Sequence, residues 1–220
     1  MRQILIEACV ETLAGALAAQ EGGAGRVELC ASLDVGGLTP PEPLLHECVQ
    51  RLSIPVFVLV RPSPGSFALS ESHLVQLVEQ VRRAADLGAA GIVAGALTPD
   101  GTIDLHAVSA VLAAVHPLPV TFHRAFDEIV DQAAALEVLI RLGVSRVLTS
   151  GGAATAAEGA GRIRALADQA AGRIGVLAGG SVRAHNAAAL VRATSLTELH
   201  SRTPADAAGV RALVLAANAG

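Results

Sequence analysis

Short apolar runs rich in β-branched residues alternate along the chain with longer stretches whose apolar positions recur at helical spacing. Strand-like runs fall at residues 3–8, 26–29, 55–60, 91–93, 118–122, 145–149, 173–177 and 196–199. Helical patterns follow them at residues 12–20, 42–51, 71–87, 105–115, 132–142, 156–171, 184–191 and 207–217. Ser70, Asp104 and Asp131 stand where helix N-caps are expected. This alternation is typical of parallel β-α-β units.

Eight such units predict a closed (β/α)8 TIM barrel, with residues 1–220 as a single domain. The competing architecture is an open, doubly wound sheet, which favours a glycine-rich dinucleotide loop after the first strand. Here residues 6–11 read IEACVE, and the first glycine after them is Gly15. The barrel is therefore the preferred prediction.

Composition excludes several classes of protein. With 52% hydrophobic and 16% charged residues the chain is not a disordered protein, and a net charge of −4 gives no basic surface for nucleic acid. No apolar run reaches about 18 residues without glycine or charge, which predicts no membrane span. Three cysteines are too few for a disulfide framework, and they predict a reduced, cytoplasmic protein.

Polar side chains concentrate where the predicted strands end, which is where a barrel carries its chemistry. The candidate catalytic residues are Glu7, Glu28, Arg61, His123, Arg124, Asp127, Glu198 and His200. Carboxylates beside histidines can transfer protons, and Arg61 and Arg124 could hold an anionic substrate. Because structural ion-pair networks have the same composition, a salt-bridge layer that closes the barrel interior stays open as an alternative.

Two glycine-rich loops each precede a helix, and they give the candidate cofactor-binding residues Ser150, Gly151, Gly179, Gly180 and Ser181. Such loops expose backbone N–H groups at a helix N-terminus, where a phosphate or carboxylate can bind. The alternative is that the glycines only permit tight turns.

Two of the three cysteines lie where a copper ion could bind. Cu(I) prefers thiolate ligands, so Cys9 and Cys30 at neighbouring strand ends could bind Cu(I), with His200 or His123 as a third donor. The alternative is that both are small buried hydrophobic residues. Cys48 lies on a predicted helix two positions from a histidine and is predicted to pack in the core.

Several of these segments together resemble the CutC family of copper homeostasis proteins. The matching segments are Ile6-Glu7-Ala8-Cys9, Arg26-Val27-Glu28-Leu29-Cys30, Gly36-Gly37-Leu38-Thr39-Pro40, Val60-Arg61-Pro62, Pro119-Val120-Thr121-Phe122-His123-Arg124-Ala125-Phe126-Asp127, Arg146-Val147-Leu148-Thr149-Ser150-Gly151 and Glu198-Leu199-His200-Ser201. The resemblance implies a (β/α)8 barrel, a cytoplasmic location, a homo-oligomer with a dimer favoured, and copper handling with the Glu-x-Cys segments as ligands. A small-molecule enzyme acting on an anionic metabolite at the barrel mouth stays open as the second function.

Three departures from the family pattern concern the mouth. The loop after Arg61-Pro62 reads Ser63-Pro64-Gly65-Ser66, where the family usually has a further arginine, two glycines and an aspartate. The loop after strand six is less polar than is common in relatives. Only residues 202–206 separate His200-Ser201 from the last helix, a shorter segment than usual. These changes are expected to alter the opening of the mouth or its ligand.

Overall fold

A computed structural model describes residues 3–202 and 206–219. Eight strands are formed by β1 (Leu5–Val10), β2 (Arg26–Leu29), β3 (Val56–Leu59), β4 (Gly91–Ala94), β5 (Val120–Phe122), β6 (Arg146–Thr149), β7 (Gly175–Ala178) and β8 (Glu198–Arg202). The α-helices are α1 (Leu13–Glu21), α2 (Glu42–Arg51), α3 (Glu71–Asp86), α4 (Leu105–Val115), α5 (Gln132–Leu142), α6 (Ala160–Ala170), α7 (Ala184–Thr194) and α8 (Ala207–Ala217). Short 3-10 helices cover Leu33–Val35 and Arg124–Glu128.

The strands close into one parallel barrel in sequence order, so the predicted (β/α)8 fold is confirmed. β1 closes the ring by pairing with β8, with Leu5 opposite Glu198 and Glu7 opposite His200. On its other edge β1 pairs with β2, with Cys9 opposite Glu28. All strands therefore end at the same rim, and side chains from distant parts of the chain meet there.

Alternate residues of each strand face opposite sides of the barrel wall. Outward-facing residues such as Val27, Val58 and Ile92 pack against the helices and form the main hydrophobic cores. The barrel interior has a much smaller apolar cluster, formed by Cys9, Cys30, Phe57, Leu59 and Val93. Most ionisable side chains of the strands face this interior. The hydrophobic packing that stabilises the fold therefore lies mainly between the barrel wall and the helices.

Helix caps follow the sequence prediction closely. The side chains of Ser70, Asp104 and Asp131 accept hydrogen bonds from the backbone N–H groups three residues further on. Each such cap typically stabilises a helix by about 1 kcal/mol. The predicted helix at residues 156–171 begins later, because α6 starts at Ala160.

Six strands begin one or two residues later than predicted, and for β1 and β8 the shift matters for the site. β1 runs from Leu5 to Val10, so Glu7 lies in the middle of the strand and not at its end. β8 begins at Glu198, two residues after the predicted start, and continues through His200 to Arg202. The placement of Glu198 at a carboxyl-terminal strand end was therefore wrong.

Among residues 3–202 and 206–219, no helix combines the length and the apolar character that a bilayer crossing requires. The shortened segment at residues 202–206 lies largely outside the described residues, because residues 203–205 are not described.

Candidate functional site at the barrel mouth

The polar layer nearest the amino ends of the strands, farthest from the mouth, is an ion-pair network. Arg26 donates to Glu7 and, at 2.7 Å, to Glu198. Arg146 lies 2.9 Å from the same Glu198 carboxylate, and the guanidinium groups of Arg26 and Arg146 both stack on the Phe57 ring. Glu198 thus belongs to a closed network near the amino ends of the strands, and it does not line the cavity at the mouth.

Glu7 connects this network to the layer above. Its other carboxylate oxygen accepts a hydrogen bond from His200 Nδ1 at 2.8 Å. Burial would raise the pKa of Glu7, but the hydrogen bond from His200 and the charge of Arg26 lower it to about 2. Glu7 is consequently a carboxylate at neutral pH. It fixes a His200 proton on Nδ1, so that Nε2 is the acceptor atom when the ring is neutral.

Above Glu7 lie two thiols and a second carboxyl group. Cys9 Sγ is 3.5 Å from Cys30 Sγ and donates to Glu28 at 3.5 Å. Burial raises the pKa of the Glu28 carboxyl, and the Glu7 charge adds to this effect. The hydrogen bond with Cys30, burial and the Glu28 charge together raise the pKa of the Cys9 thiol well above its ordinary value.

His200 is the third group of this layer. Burial opposes its protonation, but the charges of Glu28 and Glu7 outweigh burial and raise the pKa of the imidazole. One ligand atom each from Cys9, Glu28 and His200 lie within 4.8 Å of one another, which is compact enough for a single metal ion. Of the two predicted third donors for copper, the structure brings His200 to this cluster.

His123 and Arg61 lie on another part of the wall, around the ring of Phe67. The Phe67 ring centroid is 4.9 Å from the His123 ring and 4.7 Å from the Arg61 guanidinium carbon. His123 Nδ1 accepts a hydrogen bond from the Ala125 N–H, so the proton of the neutral ring is on Nε2. Burial and the Arg61 charge lower the pKa of His123 to about 4, so the ring is neutral at physiological pH.

Asp127 has a different role from the other candidates. Its carboxylate accepts hydrogen bonds from the backbone N–H groups of Ser150 and Gly152 and from the Thr149 hydroxyl. Arg124 donates to Asp127 at 2.8 Å and to the Ser150 hydroxyl at 2.9 Å. Asp127 therefore holds the loop after β6 in place, and its oxygens are used within the protein.

The mouth encloses a cavity of about 310 Å³. Of the sequence-predicted residues, its wall includes Cys9, Glu28, Arg61, His123, Arg124, Gly180, Ser181 and His200. The remaining predicted residues lie beside or beneath this wall: Glu7, Cys30, Asp127, Ser150, Gly151, Gly179 and Glu198. Gly179 still matters for the shape of the cavity, because a Cβ there would lie 2.6 Å from Leu148.

The sequence prediction missed two arginines and one aromatic residue of the wall, together with the smaller apolar contributions of Leu33, Gly36, Leu59 and Leu148. Arg202 follows His200 by two positions, so strand alternation could have indicated it once β8 was extended. Arg183 comes two residues after Ser181, the end of the glycine-rich turn. Phe67 lies in the long loop after β3 and carries no sequence signal of its own. Four arginines and one glutamate therefore line the cavity, which favours an anionic ligand.

Fold and site together define a single-domain (β/α)8 barrel protein with a buried polar mouth, a class that serves many unrelated functions. Comparison with known proteins narrows this class to one family. The CutC family model matches residues 4–205, so the chain belongs to the CutC family.

Individual relatives agree with this assignment. The copper homeostasis protein cutC homolog of Mus musculus is 45% identical over 196 residues, which cover 89% of this chain and 72% of that protein. A family protein CutC of Pasteurella multocida is 45% identical over 195 residues, covering 89% of this chain and 80% of that one. A crystal structure of a CutC protein from Streptococcus agalactiae has a TM-score of 0.87 and 34% identity, covering 90% of this chain and 98% of that one.

Proposed function

We propose that this protein binds Cu(I) through Cys9 and Cys30, with His200 as the third donor. The observation that carries the proposal is the 3.5 Å separation of the two buried sulfur atoms, which lie on adjacent strands. Thiolate and imidazole ligands suit a soft monovalent ion. The name of the Mus musculus relative, a copper homeostasis protein homolog, supports the same assignment.

Binding at this site requires that the thiols lose their protons, since the thiolate is the ligand. Cys9 already donates to Glu28, so Glu28 is placed to accept the proton that copper displaces. In accepting this proton Glu28 loses its negative charge, so it adds none to the thiolate charge around the bound cation. The buried carboxyl group therefore has a defined part in copper binding without being a ligand itself.

The test is a Cu(I) titration under anaerobic, reducing conditions against a chromogenic chelator. Wild type should bind one equivalent, and Cys9→Ser/Cys30→Ser should lose more than about a hundredfold in affinity, because even the loss of a group that only hydrogen-bonds to a metal ligand costs up to that much. Cys48→Ser is the matched control, since Cys48 is equally buried but packs in the outer core. Equal copper affinity in the double variant and wild type would refute the proposal.

We propose as a second candidate function an enzyme that transfers protons to or from a small anionic metabolite. The specific observation is the pairing of a Glu7-anchored His200 with a Glu28 carboxyl of raised pKa in one cavity. Such a pair supplies a base and an acid of different proton affinity. The arginine-lined mouth supports an anionic substrate.

This function is tested by incubating the protein in D2O with a panel of carboxylated and phosphorylated metabolites and following deuterium incorporation by NMR. His200→Gln and Glu28→Gln should each abolish incorporation, whereas Cys48→Ser should leave it unchanged. Absence of incorporation from the whole panel would contradict the proton-transfer function.

The cytoplasmic location and the homodimer implied by the family resemblance remain predictions. Size-exclusion chromatography with light scattering measures the second directly, and a monomer at micromolar concentration would contradict it.

A further inference from the structure

Arg61 is a buried cation that forms no ion pair with a carboxylate in the described part of the chain. It is 9% exposed, and no acidic side chain of the described ranges 3–202 and 206–219 lies within 4.0 Å of its guanidinium. Its partners are the backbone carbonyl oxygens of Val35 and Gly37 on Nη1 and of Gly65 on Nη2. The three carbonyls and the Phe67 ring partly compensate this charge, and Glu128 acts on it only from beyond ion-pair distance, so a bound anion would stabilise it further.

The carbonyl contacts leave one edge of the guanidinium free. Of its five N–H hydrogens, two on Nη1 and one on Nη2 are used. Nε–H has no partner in the described ranges, Nη2 carries one further hydrogen, and Nε and Nη2 are the adjacent nitrogens with which arginine binds two oxygen atoms side-on. Nε is buried and has no partner among the described residues. The loops after β2 and β3 thus hold a two-donor fork in a fixed orientation.

His123 supplies a second unused donor around the same ring of Phe67. Its Nδ1 is occupied by the Ala125 N–H, so Nε2 carries the hydrogen. That Nε2 is buried and also lacks a partner in the described part of the chain. Each unsatisfied buried donor costs about 1–3 kcal/mol. Two such donors beside one aromatic ring are difficult to explain as packing alone.

We propose that Arg61 and His123 bind the carboxylate group of a small organic acid at the mouth of the barrel. The fork of Arg61 matches the two oxygens of a carboxylate, and the His123 Nε2–H adds a third hydrogen bond. Because His123 is neutral, the subsite carries a single positive charge, which matches a carboxylate better than a doubly charged phosphate. The remainder of the acid would extend into the cavity towards Glu28 and His200.

This inference deepens the second candidate function and rests on it for its biological meaning. It assigns the substrate class of that function, a small carboxylic acid. It also separates two regions of the wall, one that holds the substrate and one, around Glu28 and His200, that reacts with it.

The experiment is an NMR titration of the full-length protein with acetate, glycolate and, separately, inorganic phosphate at constant ionic strength. The Arg61 Nε–H and His123 Nε2–H signals should move with the carboxylates, which should bind more tightly than phosphate. Arg61→Lys keeps the charge but removes the fork, and it should weaken carboxylate binding about tenfold or more. His123→Asn can still accept the Ala125 N–H while removing the Nε2 donor, and it should weaken binding severalfold.

Matched controls isolate the subsite. Arg83→Lys changes an exposed arginine on α3 and should leave carboxylate affinity unchanged. Cys48→Ser changes a thiol that packs in the outer core and should also leave carboxylate affinity unchanged. Circular dichroism of each variant without ligand confirms that it is folded. Arg61→Lys is used in place of Arg61→Ala because it keeps the buried charge and most of the side-chain volume.

The outcomes are distinguishable from those of the proposed function. Unchanged carboxylate affinity in Arg61→Lys or His123→Asn, or tighter binding of phosphate, would overturn the subsite. Carboxylate binding that depends on both residues, with no deuterium incorporation, would leave the subsite standing and refute the enzyme. Deuterium incorporation in Arg61→Lys with wild-type substrate affinity would support the enzyme and refute the subsite.

Discussion

Glu7 Oε1 lies 2.8 Å from His200 Nδ1 inside the barrel, although the two residues are 193 positions apart in the chain. The hydrogen bond joins β1 to β8, the first and last strands, whose backbone pairing closes the barrel. It also connects the ion-pair layer around Arg26 to the groups that line the mouth. One buried carboxylate therefore serves both the stability of the fold and the orientation of the His200 ring.

We expect Glu7→Gln to lower the free energy of unfolding by about 3–5 kcal/mol, because it leaves Arg26 with a weakened partner in a buried site. The measurement is urea unfolding followed by circular dichroism, since the chain has no tryptophan or tyrosine for fluorescence. Glu42→Gln removes an exposed ion pair with Arg83 and should cost less than about 1 kcal/mol. Comparable losses in the two variants would show that the buried network contributes little.

His123 should make the protein sensitive to acid. Its pKa is about 4 in the folded state against 6.5 as its ordinary value, so the unfolded chain binds more protons between pH 4 and pH 6.5. Stability therefore rises with pH across this window and falls on acidification, by roughly 3 kcal/mol in total.

His123→Asn should flatten this dependence relative to wild type, measured as urea unfolding at pH values between 4 and 7. The comparison is made as a difference because Glu28 and His200 titrate in the same protein. His106→Asn changes an exposed histidine on α4 and should keep the wild-type slope. A His123→Asn profile parallel to wild type would mean that the folded imidazole is not held neutral.

Asp127→Asn should loosen the loop after β6. An amide in place of the carboxylate loses one acceptor oxygen among the donors of Thr149, Ser150 and Gly152, which should cost about 1–3 kcal/mol. Hydrogen exchange at residues 150–152 should become faster than in wild type. Asp168→Asn, which changes an exposed ion pair with Arg164 on α6, should affect neither quantity. Unchanged exchange at residues 150–152 would contradict the role given to Asp127.

Gly95→Ala should displace His123 without touching any ligand. A Cβ at position 95 would lie 2.7 Å from His123 Nδ1 and 3.2 Å from the Phe122 ring. We expect a loss of about 1–3 kcal/mol in stability and weaker acetate binding. Gly161→Ala, in α6 with open space around its Cβ, should instead stabilise the protein by about 0.5–1 kcal/mol. Acetate affinity that survives Gly95→Ala would argue that the position of the His123 ring is unimportant.

The sequence by itself determined the fold and many, though not all, of the chemical groups at the mouth. Alternating apolar runs predict the strands because each strand is covered by helices, and Ser70, Asp104 and Asp131 predict helix starts because capping is local. Strand-end position alone was enough to place His123, Arg61 and Glu28 in one cavity.

Only the tertiary structure decided which of those groups are free to act. Glu198 and Glu7 read like mouth residues, but strand register pairs them with Arg26, whose position at the start of β2 gave no sign of this role. Arg61 is free on one edge because carbonyls from two long loops meet its other edge. Apart from the contact with Gly65, these pairings join residues 19 to 172 positions apart. Barrel closure and loop geometry fix them, and no local pattern in the sequence encodes either.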